Sequence, residues 1–124
     1  MGYVIVFLGG GIGAAMRHGI NIAAARALGT GFPYGTIIIN IVGSLAMGLI
    51  AEYFALKGAL PQHVRLFLTT GILGGFTTFS AFSLEAALLY ERGQLAGAAV
   101  YVIASVVLAI AALFGGLAIV RALV

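Results

Sequence analysis

Four long apolar segments account for most of this 124-residue chain. They run over about residues 3–25, 35–56, 64–89 and 95–120, and each reaches the roughly 20 residues that an α-helix needs to cross a bilayer. The stretches between them are short, so helices that follow one another in the chain are expected to be neighbours. The sequence therefore predicts an all-α membrane protein in which residues 1–124 form a single domain of four transmembrane helices.

The composition excludes a soluble domain. Hydrophobic residues make up 63% of the chain, charged residues 7%, and the mean hydropathy is +1.22, whereas soluble domains carry about 25% charged residues. The basic residues stand singly, so the sequence offers no basic patch to grip nucleic acid. Cysteine is absent, which excludes disulfides and thiolate metal sites. We expect the lipid bilayer as a partner and no nucleic acid.

The sequence contains no convincing catalytic motif. Gly9, Gly11 and Ala14 match the glycine pattern of a dinucleotide-binding loop, but the acidic residue expected about 20 positions later is missing. His18 and His63 lie near the ends of apolar segments, and neither has metal-binding neighbours. We therefore expect that the chain is not an enzyme.

Basic residues are almost evenly divided between the two sides of the predicted bundle. The side that carries both termini has Lys57, Arg65 and Arg121. The other side has Arg26 and Arg92, and Arg17 lies in the latter half of the first span toward that side. The positive-inside rule needs an excess on one side to fix the orientation. Charge alone leaves two readings open, insertion in both orientations or a single orientation fixed by one or two basic residues.

Polar and small residues recur every fourth position in the first two segments. They are Gly9, Gly13, Arg17 and Asn21 on the first, and Thr36, Asn40, Ser44 and Gly48 on the second. This spacing places each set on one helix face, and the glycine pair permits a close approach of another helix. The Asn40 amide needs partners for two N–H groups and an oxygen. A structural interhelix bond and a functional site would both provide them.

The third segment contains the unusual stretch TTGILGGFTTFSAFS, residues 69–83. Its glycines are expected to weaken the helix near Gly74–Thr78, and a break there frees carbonyl oxygens that suit a small cation. If each residue turns the helix by about 100°, one arc after the break contains Thr78, Phe79, Phe82 and Ser83, with Glu85 at its edge. Electropositive ring edges could line a path for an anion, although phenylalanine in membrane helices more often faces lipid or fills a core.

The fourth segment carries Tyr101 and Ser105 one turn apart. Together they are compatible with a polar track along one helix face. Taken singly, the tyrosine is also typical of a membrane interface, and the serine could bond to its own helix.

Three motifs together resemble the Fluc or CrcB family of fluoride channels. They are GGGIGAAMRHGIN (9–21), GTIIINIVGSLAMG (35–48) and TTGILGGFTTFSAFS (69–83). The resemblance implies an antiparallel homodimer of dual-topology subunits in the cell (inner) membrane, with two ion pathways and a structural sodium ion, Na+, at the dimer interface. It further implies passive, fluoride-selective export that relieves fluoride toxicity.

The resemblance also implies roles for individual residues. Asn40 corresponds to the pore-lining amide, Phe79 and Phe82 to the rings of the fluoride pathway, and Gly74 and Thr77 to the residues whose backbone carbonyls hold sodium. Hydroxyls of the same pathway would come from Thr78, Ser80, Ser83, Tyr101 and Ser105. Arg17 and Glu85 are accessory candidates. Family members often carry a further hydroxyl where this chain has Ala109, which puts the outer part of the fourth-helix track in doubt.

Two other functions remain open on the sequence. A small dual-topology multidrug exporter also has four spans, but such exporters carry a proton-coupling acidic residue in the first span, and this first span has none. A membrane scaffold subunit without transport would use Asn40 and the hydroxyl-flanked rings for packing only.

Overall fold

The computed structural model of the chain describes residues 1–58 and 61–124. It places α1 at Gly2–Leu28, α2 at Tyr34–Lys57 and α6 at Leu95–Leu123, and it divides the third span into α3 (Gln62–Leu66), a π-helical segment (Phe67–Leu73), α4 (Gly74–Phe76) and α5 (Ser80–Glu91). Within the described residues there is no strand. Four helical stretches are long and apolar enough to cross a membrane, which confirms the predicted all-α architecture of four spans.

The helix ends follow from local backbone chemistry. α2 ends at Gly58, whose φ of 59° is left-handed and whose N–H donates to the Phe54 carbonyl at 2.8 Å. Glycine adopts this conformation without a steric cost. Pro33 and Pro61 precede α2 and α3, where a missing N–H costs nothing. The largest boundary errors are three residues, at the end of α1, expected near Ala25 and found at Leu28, and at the end of α6, expected near Val120 and found at Leu123. The connection between the second and third spans includes residues 59 and 60, which lie outside the described residues.

Glycines set how closely the helices pack. α1 lies against the first half of the third span, and a Cβ on Gly9 would come within 2.9 Å of the Gly71 Cα. α2 lies against α6, and a Cβ on Gly48 would come within 3.2 Å of the Gly116 Cα. Backbone therefore meets backbone at both contacts, which confirms the close approach expected from the G-x-x-x-G pair in α1.

The third span is interrupted, but not by its glycines. Gly74 is helical, with φ −62° and ψ −39°, whereas Thr77 is extended, with ψ 160°. α4 ends at Phe76 and α5 begins at Ser80, so the break occupies residues 77–79, at the far end of the predicted region. A Cβ on Gly75 would lie 2.9 Å from the Gly10 carbonyl carbon. Gly75 therefore permits close contact with α1, and the break follows the glycines directly. The expectation that the glycines weaken the helix stays a prediction.

Most of the apolar surface of the subunit faces outward. Tyr101, Ile39 and Leu89 are the largest fully buried side chains of the described residues, while α6 exposes a series of large aliphatic residues. Such a surface suits acyl chains or a second protein surface and would not be stable in water. At the end that carries the termini, Arg121 forms an ion pair with Glu52 and so ties α6 to α2.

We predict that Gly13→Ala destabilises the protein, because its Cβ would clash with the Ile72 carbonyl oxygen and lie 2.7 Å from the Phe76 nitrogen. The expected loss is about 1–3 kcal/mol, as for overpacked cores. Gly11→Ala is the matched control on the same helix, since a Cβ there meets nothing within 4 Å. Reversible unfolding in detergent measures both, and equal stabilities of the two variants would contradict the packing.

Candidate ion site at the interrupted third span

The Asn40 side chain forms two hydrogen bonds to the backbone of the break. Its Nδ2 donates to the Thr78 carbonyl at 3.0 Å, and its Oδ1 accepts the Thr78 N–H at 3.0 Å. Both distances are those of good N–H···O bonds. An amide can serve a backbone N–H and carbonyl together because it carries a donor and an acceptor side by side. Asn40 therefore satisfies a residue that has left the helix in a region without water.

Two side chains redirect the N–H groups that a continuous helix would give to Gly74 and Thr77. The Thr78 N–H goes to Asn40 instead of the Gly74 carbonyl. The Ala81 N–H goes to the Thr78 hydroxyl at 3.1 Å instead of the Thr77 carbonyl. The last helical bond before the break runs from the Thr77 N–H to the Leu73 carbonyl at 3.0 Å. The two carbonyls expected to hold a cation are thus the ones whose helical donors are taken elsewhere.

Arg17 partners a third carbonyl of this region. Its Nε donates to the Gly75 carbonyl at 3.2 Å. A cation at the C-terminal end of a helix also interacts favourably with the helix dipole. The half-buried Arg17 therefore stabilises the end of α4 and does not line the groove described next.

A groove of about 400 Å³ runs between α2, α6 and the break. Among the predicted site residues, the ones that line it are Asn40, Gly74, Thr77, Thr78, Phe79, Phe82 and Ser105. Ala109 also lines it, with apolar side chains beyond, so the groove lacks a hydroxyl at that position. Site residues that the sequence predicts on three separate spans thus meet at one concave surface.

The Ser105 hydroxyl stands out within this groove. Its side chain is buried, at 5% exposure, and its oxygen has no hydrogen-bond partner among the described residues. A buried hydroxyl without a partner costs free energy. Ser105 thus brings a buried donor without a partner to the lining of the groove.

Phe79 and Phe82 differ sharply in exposure, although both line the groove. Phe82 is 9% exposed and packs against Tyr101 at a ring-centroid distance of 5.2 Å, whereas Phe79 is 76% exposed. The two rings are still neighbours, with centroids 5.5 Å apart. The prediction that Thr78, Phe79, Phe82 and Ser83 share one helix arc fails at Thr78, which lies in the break before α5. Phe79 is the N-cap residue of α5 and has helical dihedrals, with φ −96° and ψ −32°.

The remaining hydroxyl candidates lie outside the groove. Ser83 is exposed and donates to the Phe79 carbonyl at 2.9 Å, and Ser80 lies 3.4 Å from the Thr78 hydroxyl. Tyr101 is fully buried, and its hydroxyl donates to Glu85 at 3.3 Å. These three residues stay predictions as pathway residues, and the geometry gives each of them a local partner.

Glu85 is the centre of a polar cluster behind Phe82. One carboxylate oxygen accepts the Thr36 hydroxyl at 2.5 Å as well as the Tyr101 hydroxyl. On its other side Glu85 lines a second cavity of about 300 Å³ together with Asn21 and Arg92. The cluster links α2, α5 and α6 through one acidic side chain that would be costly to bury alone.

Among the described residues, no group of three histidine or acidic side chains could hold a metal ion. A cation site in this part of the chain would therefore depend on backbone carbonyls and hydroxyls. Such neutral oxygen ligands favour hard monovalent ions over transition metals.

Comparison with known proteins identifies the family. Residues 4–117 match the family model described as CrcB-like protein, Camphor Resistance (CrcB). The chain belongs to the CrcB family. This membership confirms the resemblance found in the three motifs and the prediction that the chain is not an enzyme.

Named members of the CrcB family match the chain over nearly its whole length. A protein of Rhodopseudomonas palustris strain BisB5, named fluoride-specific ion channel FluC, is 68% identical over 123 residues, covering 99% of each chain. A protein of Nitrobacter hamburgensis, named fluoride-specific ion channel FluC 2, is 60% identical and covers 98% of each chain. A FluC protein of Granulibacter bethesdensis is 59% identical over all of this chain and 98% of its own.

Sequence reasoning on this CrcB-family chain missed two features of the site. Thr36 was placed on the Asn40 stripe but not among the site residues, although it is the closest partner of Glu85. Its spacing one turn before Asn40 was the available signal. The π-helical segment before the break had no visible signal, and such irregular turns are often found at functional sites.

We predict that Thr36→Val lowers the stability of the protein by about 1–2 kcal/mol, since it removes a hydrogen bond to a carboxylate without changing side-chain volume. Thr70→Val is the control, because Thr70 is exposed and outside both cavities. Thermal unfolding in detergent compares the variants. An unchanged Thr36→Val protein would show that Glu85 does not depend on this hydroxyl.

Proposed function

We propose that this CrcB-family protein is a fluoride-selective passive ion channel of the cell inner membrane. Its relatives carry that activity in their names, and four spans make the chain a multi-pass membrane protein. The observation that carries the proposal is the groove in which Asn40, Phe82 and the unpartnered Ser105 hydroxyl converge. No described residue specifically favours an exporter or a scaffold.

The groove offers what a dehydrated anion requires. Fluoride is small and strongly hydrated, so a pathway must replace lost water with close donors. Asn40 uses one of its two amide N–H groups on Thr78 and retains the other. Ser105 supplies an unpartnered O–H, and the phenyl rings can present electropositive edges. The amide N–H, the hydroxyl O–H and the ring edges can all be turned toward an anion.

A second, inverted copy of the chain would complete the pathway. The groove is open on the subunit surface, and Phe79 projects from its rim at 76% exposure. An exposed phenylalanine beside a half-formed polar groove is well placed to cover the equivalent groove of a partner. Two-fold symmetry would then produce two pathways per dimer, and the balanced basic residues suit insertion in both orientations.

The carbonyls of Gly74 and Thr77 fit a structural sodium ion at the dimer interface. Each has lost its helical donor, and Gly74 is exposed on the subunit surface where a partner would approach. Two carbonyls from each of two subunits would form a neutral oxygen site. A sodium ion bound there would supply a fixed positive charge that lessens repulsion between anions in adjacent pathways.

Passive flow through such a pathway would relieve fluoride toxicity. Fluoride enters cells as its neutral acid and ionises inside. An open, selective pathway then lets the accumulated anion leave down its gradient. This process needs no conformational cycle and no coupled ion.

The experiment that tests the proposal is anion efflux from liposomes. Reconstituted protein in vesicles loaded with fluoride or chloride should release fluoride rapidly and retain chloride, as followed with ion-selective electrodes. Absence of fluoride release from correctly folded protein would rule out the channel function.

We predict that Ser105→Ala lowers fluoride efflux by about tenfold, because a hydrogen bond to a charged group contributes on the order of 1.5 kcal/mol or more. Val107→Ala is the matched control, since Val107 lies on the same helix, is exposed and does not line the groove. Equal efflux rates in the two variants would remove Ser105 from the pathway.

A further inference from the structure

We propose that Asn40 is a positioning residue for the cation site as well as a wall of the groove. By taking the Thr78 N–H, its amide keeps the Gly74 carbonyl available to sodium. This inference rests on the proposed function, specifically on its sodium site. It assigns to Asn40 a role in sodium affinity that is separable from contact with fluoride.

The hydrogen-bond ladder of the third span stops at the residue where Asn40 intervenes. The Thr77 N–H still donates to the Leu73 carbonyl at 3.0 Å. The next bond of a regular helix would run from the Thr78 N–H to the Gly74 carbonyl. That N–H is instead bonded to Asn40 Oδ1 at 3.0 Å. The Thr78 N–H would therefore compete with sodium for the Gly74 carbonyl. Its hydrogen bond to the Asn40 amide removes that competition.

The second bond of Asn40 prevents the helix from closing. Its Nδ2 holds the Thr78 carbonyl at 3.0 Å, so both backbone groups of Thr78 are occupied outside the helix. An aspartate has the same shape but no N–H for that carbonyl. Asn40→Asp therefore removes one of the two bonds and places a carboxylate oxygen against the carbonyl. The break then loses the amide N–H that holds the Thr78 carbonyl outside the helix.

The Thr78 hydroxyl likewise takes the helical donor of the second carbonyl, that of Thr77. It accepts the Ala81 N–H at 3.1 Å, which a continuous helix would give to Thr77. Thr78→Val removes this acceptor with little change in volume, and Thr78→Ser keeps it. Substitutions at Asn40 and at Thr78 therefore test independently whether side chains free the two carbonyls.

The test measures sodium binding without fluoride. The detergent-solubilised protein is unfolded thermally in increasing sodium chloride, with N-methyl-glucamine chloride holding the ionic strength constant. Binding to the folded state alone raises the unfolding temperature. We expect Asn40→Asp and Thr78→Val to raise the half-saturating sodium concentration by about tenfold or more, as outer ligand-positioning groups typically do. Ser44→Ala is a control on the same helix and in the same groove, and it should keep the half-saturating sodium concentration of the parent. Thr78→Ser should keep it as well.

Fluoride efflux at varied sodium gives the second readout. If Asn40 positions the carbonyls, high sodium should restore part of the fluoride efflux that Asn40→Asp loses. Thr78→Val should show the same restoration, and it provides the test if Asn40→Asp does not fold. Unchanged sodium half-saturation in the variants would overturn the inference. A parent protein insensitive to sodium would overturn it together with the sodium site, whereas fluoride conduction is decided separately by the liposome assay.

Discussion

The pairing of the Asn40 amide with the Thr78 backbone is the interaction on which the rest of the site depends. Irregular backbone inside a membrane is tolerated only where its polar groups find partners. Asn40 provides both partners at once. Because it does so, the third span can stop at Phe76 and restart at Ser80 within the bilayer. The freed carbonyls of Gly74 and Thr77 follow from that interruption, and the groove lies beside it.

The surrounding helices hold the interruption in place through close contacts. Backbone approaches between Gly9 and Gly71, and between Gly48 and Gly116, fix α1 and α6 against the spans beside them. Arg17 and Glu85 add polar links from opposite sides of the break. The result is a subunit with a large apolar exterior and an open, mostly apolar groove that carries a few polar side chains, as proposed for half of a symmetric channel.

Sequence reasoning captured the features that depend on local composition. The spans were predictable because a bilayer requires about 20 apolar residues of each, and Gly9 and Gly13 were identified by spacing. The predicted region began too early because Gly74 and Gly75 are typical helix breakers, whereas the contact of Gly75 with α1 depends on tertiary packing. The Thr36–Glu85 bond was missed for the same reason, since it requires the register between α2 and α5. Contacts with a partner subunit or an ion likewise cannot be predicted from a local sequence pattern.

Amide hydrogen exchange at Thr78 tests the central interaction most directly. NMR of the ¹⁵N-labelled protein in micelles would follow this amide at the break, where no helical acceptor serves it. The account predicts strong protection in the parent protein and loss of protection in Asn40→Ala, while the amides of α1 and α6 keep theirs. A Thr78 amide that exchanges as fast as an unprotected one in the parent, or stays protected in Asn40→Ala, would contradict the account.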